Sequence, residues 1–204
     1  PYQDSFSPNG IIGEKDACGV GFIANVEGIE SNWILKQSLK GLTCMEHRGG
    51  CGGDSDSGDG AGILCSIPWK YFESKINVEN KKDLDRGLGM IFMPNKKEKI
   101  EESKSICDEE AKNLGVKNTL WRTVPVNNEI LGPLAKANAP FICQWFLYID
   151  KKDHEDIERL LFQLRKRIEK KIRETFKNHV GDCEFYFASL SSQTVVYKGM
   201  VRSE

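Results

Sequence analysis

Histidine is scarce in this chain: three in 204 residues, at positions 47, 154 and 179. No two of the seven cysteines stand in Cys-x-x-Cys spacing, so a structural zinc site, which needs four such ligands close together, is not expected. Seven is also an odd number, and a closed disulfide framework would leave one thiol over. An excess of one charge is lacking too. The 29 Lys and Arg face 30 Asp and Glu, for a formal net charge of -1, which leaves no electrostatic footprint for a general nucleic-acid binder. Long apolar runs are missing: the longest, residues 141–149 (FICQWFLYI), is interrupted and far below the roughly 20 residues a spanning helix needs. Residues 1–16 show no positive-then-apolar signal profile. The chain begins with Pro1 rather than Met, so it is expected to be excised or processed from something longer. Internal repeats and low-complexity tracts are absent. These absences point to a soluble intracellular protein with reduced, mostly buried thiols, built as one large domain or two small ones.

Periodicity supplies the elements. Residues 1–17 are polar and turn-rich and read as an extended arm. Residues 18–26 (CGVGFIANV) predict a buried, glycine-spaced strand. Ser31 is a helix N-cap with Ile34, Leu35, Leu39, Leu42 and Met45 at helical spacing, and this helix should stop near His47-Arg48-Gly49. Strands follow at 61–67, stopped by Pro68, and at 87–93. A charged helix spans 97–114, capped by Gly115. Strands are expected at 120–126 and 141–149. Residues 154–176 form the clearest helix, with Ile157, Leu160, Leu161, Leu164, Ile168, Ile172 and Phe176 on one stripe. Its other face mixes Arg and Lys with Glu155, Glu158, Glu169 and Glu174, the pattern of a solvated face rather than a basic patch. Residues 184–190 and 193–198 read as a hairpin joined at Ser191-Ser192. Strands come in groups and helices do not alternate with them, which favours α+β with antiparallel sheets over a doubly wound parallel fold.

Seven glycines crowd residues 49–62, with Asp54, Asp56 and Asp59 among them. This is a loop. As a phosphate cradle it fits poorly: no Gly-x-x-x-x-Gly-Lys-Ser/Thr is present, the glycines precede a strand, and three carboxylates would repel an anion. As a calcium loop, counted from Asp54, it has Cys65 where the twelfth-position Glu belongs. An ordered loop beside a site is the remaining reading, with glycines for positive φ and aspartates for local backbone bonds. Among the cysteines, Cys65, Cys107 and Cys143 lie in apolar contexts that suit core residues. Cys44 sits on a helix and Cys183 in a turn. Cys18 stands apart at the head of Cys-Gly-Val-Gly. Taken alone it is a structural residue more readily than a nucleophile, since no nearby histidine pairs with it except His47.

Two stretches change that balance. Residues 16–24 (DACGVGFIA) resemble the processing site and mature start of the large glutamate synthases. Residues 42–51 (LTCMEHRGGC) followed by 56–63 (DSGDGAGI) resemble that family's second signature, and residues 195–199 (VVYKG) resemble a strand it carries further on. The order and spacing hold along essentially the whole chain, and MEHRGGC is more similar to the ferredoxin-dependent branch than to the pyridine-nucleotide branch. The resemblance implies a class II glutamine amidotransferase domain over residues 18–204, with the N-terminal-nucleophile (Ntn) fold, an αββα sandwich of antiparallel sheets. It implies a propeptide over residues 1–17, cut between Ala17 and Cys18, so that this chain resembles a precursor. Cys18 would be the nucleophile and, once freed, its α-amino group the base. Arg48 and Gly49 of the His-Arg-Gly loop would orient the mature terminus; a salt bridge from Arg48 to Asp54 or Asp59 is the structural alternative. His47 would cap or pack.

The same resemblance implies L-glutamine as substrate, with ammonia passed to a synthase domain of the same polypeptide that makes glutamate from 2-oxoglutarate. It implies FMN and an iron–sulfur cluster in that other part and no cofactor or metal here. Ferredoxin is the electron donor it suggests, with no nucleic-acid or membrane partner, and a plastid stroma or a cytoplasm as the location. The family's substrate-carboxylate arginine and its Asn-Gly oxyanion pair come after the Val-Tyr-Lys-Gly strand, so a truncation at Glu204 is expected. Two other readings stay open: a different class II amidotransferase, or an Ntn-like module that never processes and serves in folding or docking.

Overall fold

The computed structural model describes residues 19–45, 56–58, 60–76, 83–176 and 185–200. The elements are α1 (Asn32–Cys44), β1 (Ala61–Ser66), α2 (Trp69–Ile76), β2 (Leu84–Met93), α3 (Lys97–Asn113), β3 (Asn118–Thr123), a 3₁₀ turn (Asn128–Ile130), α4 (Pro133–Ala137), β4 (Phe141–Asp150), α5 (His154–Thr175), β5 (Tyr186–Ser191) and β6 (Thr194–Gly199). Four strands form one sheet in the order β3-β4-β2-β5, and β1 pairs with β6 in a second; every pairing is antiparallel. The expected α+β class and its paired antiparallel sheets are therefore present.

The larger sheet is covered on both faces. From β4, Cys143, Trp145, Leu147 and Ile149 pack with Ile106 and Cys107 of α3 and Leu161, Leu164 and Ile168 of α5. The alternate residues Phe146 and Tyr148 pack with Ile67, Phe72 of α2 and Val195 of β6. A strand buried on both faces needs apolar residues at every position, which is why β2 and β4 read as continuous apolar runs. The layers run α3 and α5, large sheet, small sheet, and then α1, which adjoins β1. Removing one fully buried leucine such as Leu161 would cost about 2–5 kcal/mol. An exposed ion pair contributes about 0–1 kcal/mol, so apolar burial decides how α5 seats.

The charged face of α5 is paired as its mixed signs suggest. Arg165 and Lys166 meet Glu169, and Arg167 and Lys171 reach Glu110 and Glu109 on α3. Glu158 is an exception to the solvated face. One of its carboxylate oxygens accepts hydrogen bonds from the Ser191 hydroxyl and from the Ser192 backbone N–H and hydroxyl.

That corner corrects the expected hairpin. β5 and β6 are strands with the expected turn between them, but they belong to different sheets. The alternation of apolar and polar residues specifies a strand, whereas its ladder partner is set by packing from far along the chain. A second correction concerns residues 18–26. Cys18 lies outside the described residues, and 19–30 form no strand; Val20 is 97 %, Phe22 94 % and Val26 104 % exposed. Here the Asn25 side chain accepts from the backbone N–H groups of Glu27 and Ile29, and Asn25 O accepts from Gly28 N. Those local bonds occupy groups a ladder would need. Ser31 caps α1 as predicted, accepting from Ile34 N at 3.3 Å. The helix runs to Cys44 with Met45 as its cap, while its expected end at 47–49 falls outside the described residues. Leu39, placed on its inward stripe, is exposed. Three short elements have no counterpart in the sequence reading: α2, the 3₁₀ turn and α4.

One carboxylate fastens α3 to the large sheet. Asp108 accepts from the Thr119 hydroxyl at 2.8 Å and from the indole N–H groups of Trp121 and Trp145 at 2.9 and 3.1 Å, and the two indoles stack at 5.2 Å. Asp108→Ala should destabilise the fold by about 2–4 kcal/mol, because it strands two indole donors; urea unfolding with an unchanged m-value reads this directly. Glu110 gives a pH signature. Burial alone would raise its carboxyl, but the Arg167 hydrogen bond and the charges of Arg167 and Lys171 hold it below the ordinary glutamate range. A depressed folded-state carboxyl contributes stability above the unfolded value, about 4.3, and that contribution is lost as pH falls through the folded value. Glu110→Gln should therefore flatten part of the acid limb of stability as pH falls below the unfolded glutamate value of about 4.3.

Candidate functional site

Ala17, Cys18, Arg48 and Gly49, the predicted site residues, all lie outside the described residues, as do His47, Asp54 and Asp59. What is described is the frame on either side of them: the chain from Gly19 onward, the end of α1, residues 56–58 and Gly60, and β1 with its partner β6. The geometry of that frame follows from a few close approaches.

Ser57 is the main anchor. It is 1 % exposed, and its hydroxyl accepts a hydrogen bond from Ala135 N at 2.9 Å. Ala135 is the third residue of α4, whose N-cap position is Gly132, a residue with no side chain to offer. A loop residue 78 positions away in sequence thus supplies the cap that the helix lacks. Gly132 is also required sterically. A Cβ there would overlap Ser57 N and stand 2.6 Å from the Asp56 carbonyl carbon. Past the anchor, Gly60 adopts φ +123°, a conformation that side-chain-bearing residues rarely adopt, beside Gly199 O. The ordered-loop reading of the glycine-rich segment is supported for residues 56–58 and Gly60. Among the described residues no group of three or more His, Cys, Asp or Glu could hold a metal ion.

Where the loop enters β1, the two sheets part around a cavity of about 470 Å³, lined in part by Gly60, Ile63, Phe92, Tyr186, Lys198 and Met200. Phe92 and Tyr186 pack edge to face at 5.0 Å, and the Lys198 ammonium lies 4.6 Å from the centre of the Tyr186 ring. The cavity offers an apolar wall and one cation.

The described thiols sort as the sequence suggested. Cys107 and Cys143 are buried and Cys65 half-buried. Burial pushes the Cys65 thiol up, pushes Cys107 well up and pushes Cys143 up to about 11. At neutral pH these three are protonated and poor nucleophiles.

Sequence reasoning missed Ser57 and Gly132. The signal was there in outline: a Gly-Pro pair at 132–133 marks a helix start without a cap of its own. Nothing local says which residue provides it. Gly132→Ala should push residues 56–57 off α4 at a cost of about 1–3 kcal/mol, with Ser57→Ala costing about 1 kcal/mol. Thermal unfolding of both variants, with amide exchange at Gly58, checks the close approach, and an unperturbed Gly132→Ala would contradict it.

Comparison with known proteins bears on the same region. A family model described as glutamine amidotransferases class-II matches residues 18–204. The chloroplastic ferredoxin-dependent glutamate synthase of Oryza sativa subsp. japonica is 45 % identical over 208 residues, covering 100 % of this chain and 13 % of the relative. The chloroplastic/mitochondrial ferredoxin-dependent glutamate synthase 1 of Arabidopsis thaliana is 44 % identical over 95 % of the chain and 12 % of the relative. The ferredoxin-dependent glutamate synthase 2 of Synechocystis sp. is 41 % identical over the same shares. The chain thus spans about an eighth of the length of these curated relatives. With a family match that starts at Cys18 and runs to Glu204, laid over two stacked antiparallel sheets, the chain belongs to the class-II glutamine amidotransferases.

Proposed function

We propose that this chain is the glutamine-hydrolysing domain of a glutamate synthase, with Cys18 as nucleophile after removal of residues 1–17. The observation that carries the proposal is the 45 % identity along the whole chain to a ferredoxin-dependent glutamate synthase, joined to a family match whose first residue is Cys18. The relatives' names favour this reading over other class II amidotransferases.

The chemistry follows from one residue holding two groups. An ordinary thiol titrates near 8.5, so only a few per cent is thiolate at pH 7. A free α-amino group titrates at about 7.7–8.0, and a useful fraction is neutral and basic. With the Ala17–Cys18 peptide intact that nitrogen is an amide and takes no proton. Once it is free, the amine accepts the thiol proton. The sulfur attacks the side-chain amide carbon of L-glutamine, the C–N bond breaks, and ammonia leaves with that proton. A γ-glutamyl thioester remains, and water then releases glutamate and restores the thiol. Arg48 and Gly49 orient the new terminus. The ammonia serves a synthase domain of the same polypeptide that makes glutamate from 2-oxoglutarate, with ferredoxin supplying electrons. On this reading FMN and an iron–sulfur cluster belong to that other domain. The relatives' chloroplastic names support a plastid location, and among the described residues no helix is long and apolar enough to cross a membrane.

The full-length polypeptide should release ammonia from glutamine with a rate that rises through about pH 7.7–8.0 as the amine deprotonates, and Cys18→Ala should reduce that release to background. Protein shown by mass spectrometry to retain Ala17 should be inactive. Steady ammonia release from such a sample, or from Cys18→Ala, would overturn the reading and favour a module with a different role.

A further inference from the structure

The layer between the two sheets is mostly apolar. It is built from Ile67, Phe72, Leu88, Met90, Phe92, Phe146 and Val195, and contacts of that kind are non-directional. Into this layer β4 projects Gln144, 1 % exposed. Its side-chain carbonyl accepts from Arg122 Nη1 of β3 at 2.6 Å, and its amide nitrogen donates to the Tyr197 hydroxyl of β6 at 3.2 Å. A buried amide with no partners is costly, so Gln144 fixes both neighbours as firmly as they fix it. Arg122 and Gln144 are directly opposed in the β3–β4 ladder. The Gln144–Tyr197 bond is different, because it passes from a central strand of the large sheet to the small one. Another polar link between the sheets, Val196 N to Ser189 Oγ, lies near the corner where the chain itself joins them.

Tyr197 stands two residues before Gly199, which is opposed to Ala61 in the β1–β6 ladder and lies against Gly60. Gly60, Ala61 and Gly199 border the 470 Å³ cavity, as do Val196 and Lys198 on either side of Tyr197. We infer that Arg122, Gln144 and Tyr197 form a positioning chain that sets the small sheet in register over the large one and thereby shapes the cavity edge formed by Gly60, Ala61 and Gly199. The inference rests on the glutaminase reading for its consequence in rate. The hydroxyl of Tyr197 is held by a polar partner inside an apolar layer, so removing that partner frees β6 to slide. A slide of the site's frame by a fraction of an ångström is felt in the transition state more than in binding.

Three variants of the full-length polypeptide test this. Gln144→Leu and Tyr197→Phe should each lower kcat for ammonia release about tenfold while KM changes less than about twofold. The double variant should be no worse than the weaker single one, because the two residues act through one bond. Gln144→Glu, which still accepts from Arg122 and can accept the Tyr197 hydroxyl proton, should recover most of the rate. Hydrogen exchange gives a reading independent of turnover. In Gln144→Leu, amides of β1 and β6 should exchange at least about tenfold faster, with those of β2 and β4 unchanged. A kcat unchanged in both single variants, or a loss matched by the fraction unfolded, would overturn the inference. If wild-type protein released no ammonia dependent on Cys18, the glutaminase reading would fail separately; selective exchange in β1 and β6 would then uphold the positioning chain, and uniform exchange would overturn it.

Discussion

Everything in this fold hangs on a sheet that has no wet face. β2 and β4 lie at the centre of the large sheet, paired on both edges and packed on both sides. Once the α3 and α5 stripe covers one side, the other must be covered as well, or several large apolar side chains would face water at about 1.5–3 kcal/mol each. The small sheet and α2 exist as that second cover. The cavity beside Gly60 is bordered mainly by that cover, so its geometry is only as exact as the seating of one layer upon the other.

That arrangement divides the polar groups into two kinds. Most of the acids and bases along α5 sit at the rim of the helical layer, where water competes with each bond. Asp108, Gln144 and Glu158 do something else: each holds two or three polar partners, and each joins elements that apolar packing alone would leave free to shift. Asp108 joins α3 to the large sheet, Gln144 joins the two sheets, and Glu158 holds the corner where the chain leaves one sheet for the other.

Much of this was legible in the sequence, and the parts that were not share a cause. β2 and β4 announced themselves by apolar runs and α5 by its stripe, because period and burial are local properties. Ser31 could be read as a cap because its partner is three residues away. Ser57 could not, because its partner is Ala135. The β5–β6 pair read as a hairpin for the same reason: alternation shows a strand, and nothing nearby shows that β6 pairs with β1. Residues 19–26 look like a strand by composition, yet Asn25 closes a local turn on the backbone groups a ladder would use. For the candidate site, motif resemblance reached Cys18, Arg48 and Gly49, whereas Ser57, Gly132, Gln144 and Tyr197 act through partners far along the chain, which no local pattern shows.

The pairing of β1 with β6 also has a consequence in time. Ala61 is opposed to Gly199, a separation of 199 − 61 = 138 residues. At 5–20 residues per second, a ribosome takes about 7–28 s to travel that far. Throughout that interval β1 has no partner strand. The small sheet is therefore among the last parts to assemble during synthesis, once every strand and helix between Ser66 and Thr194 has been made.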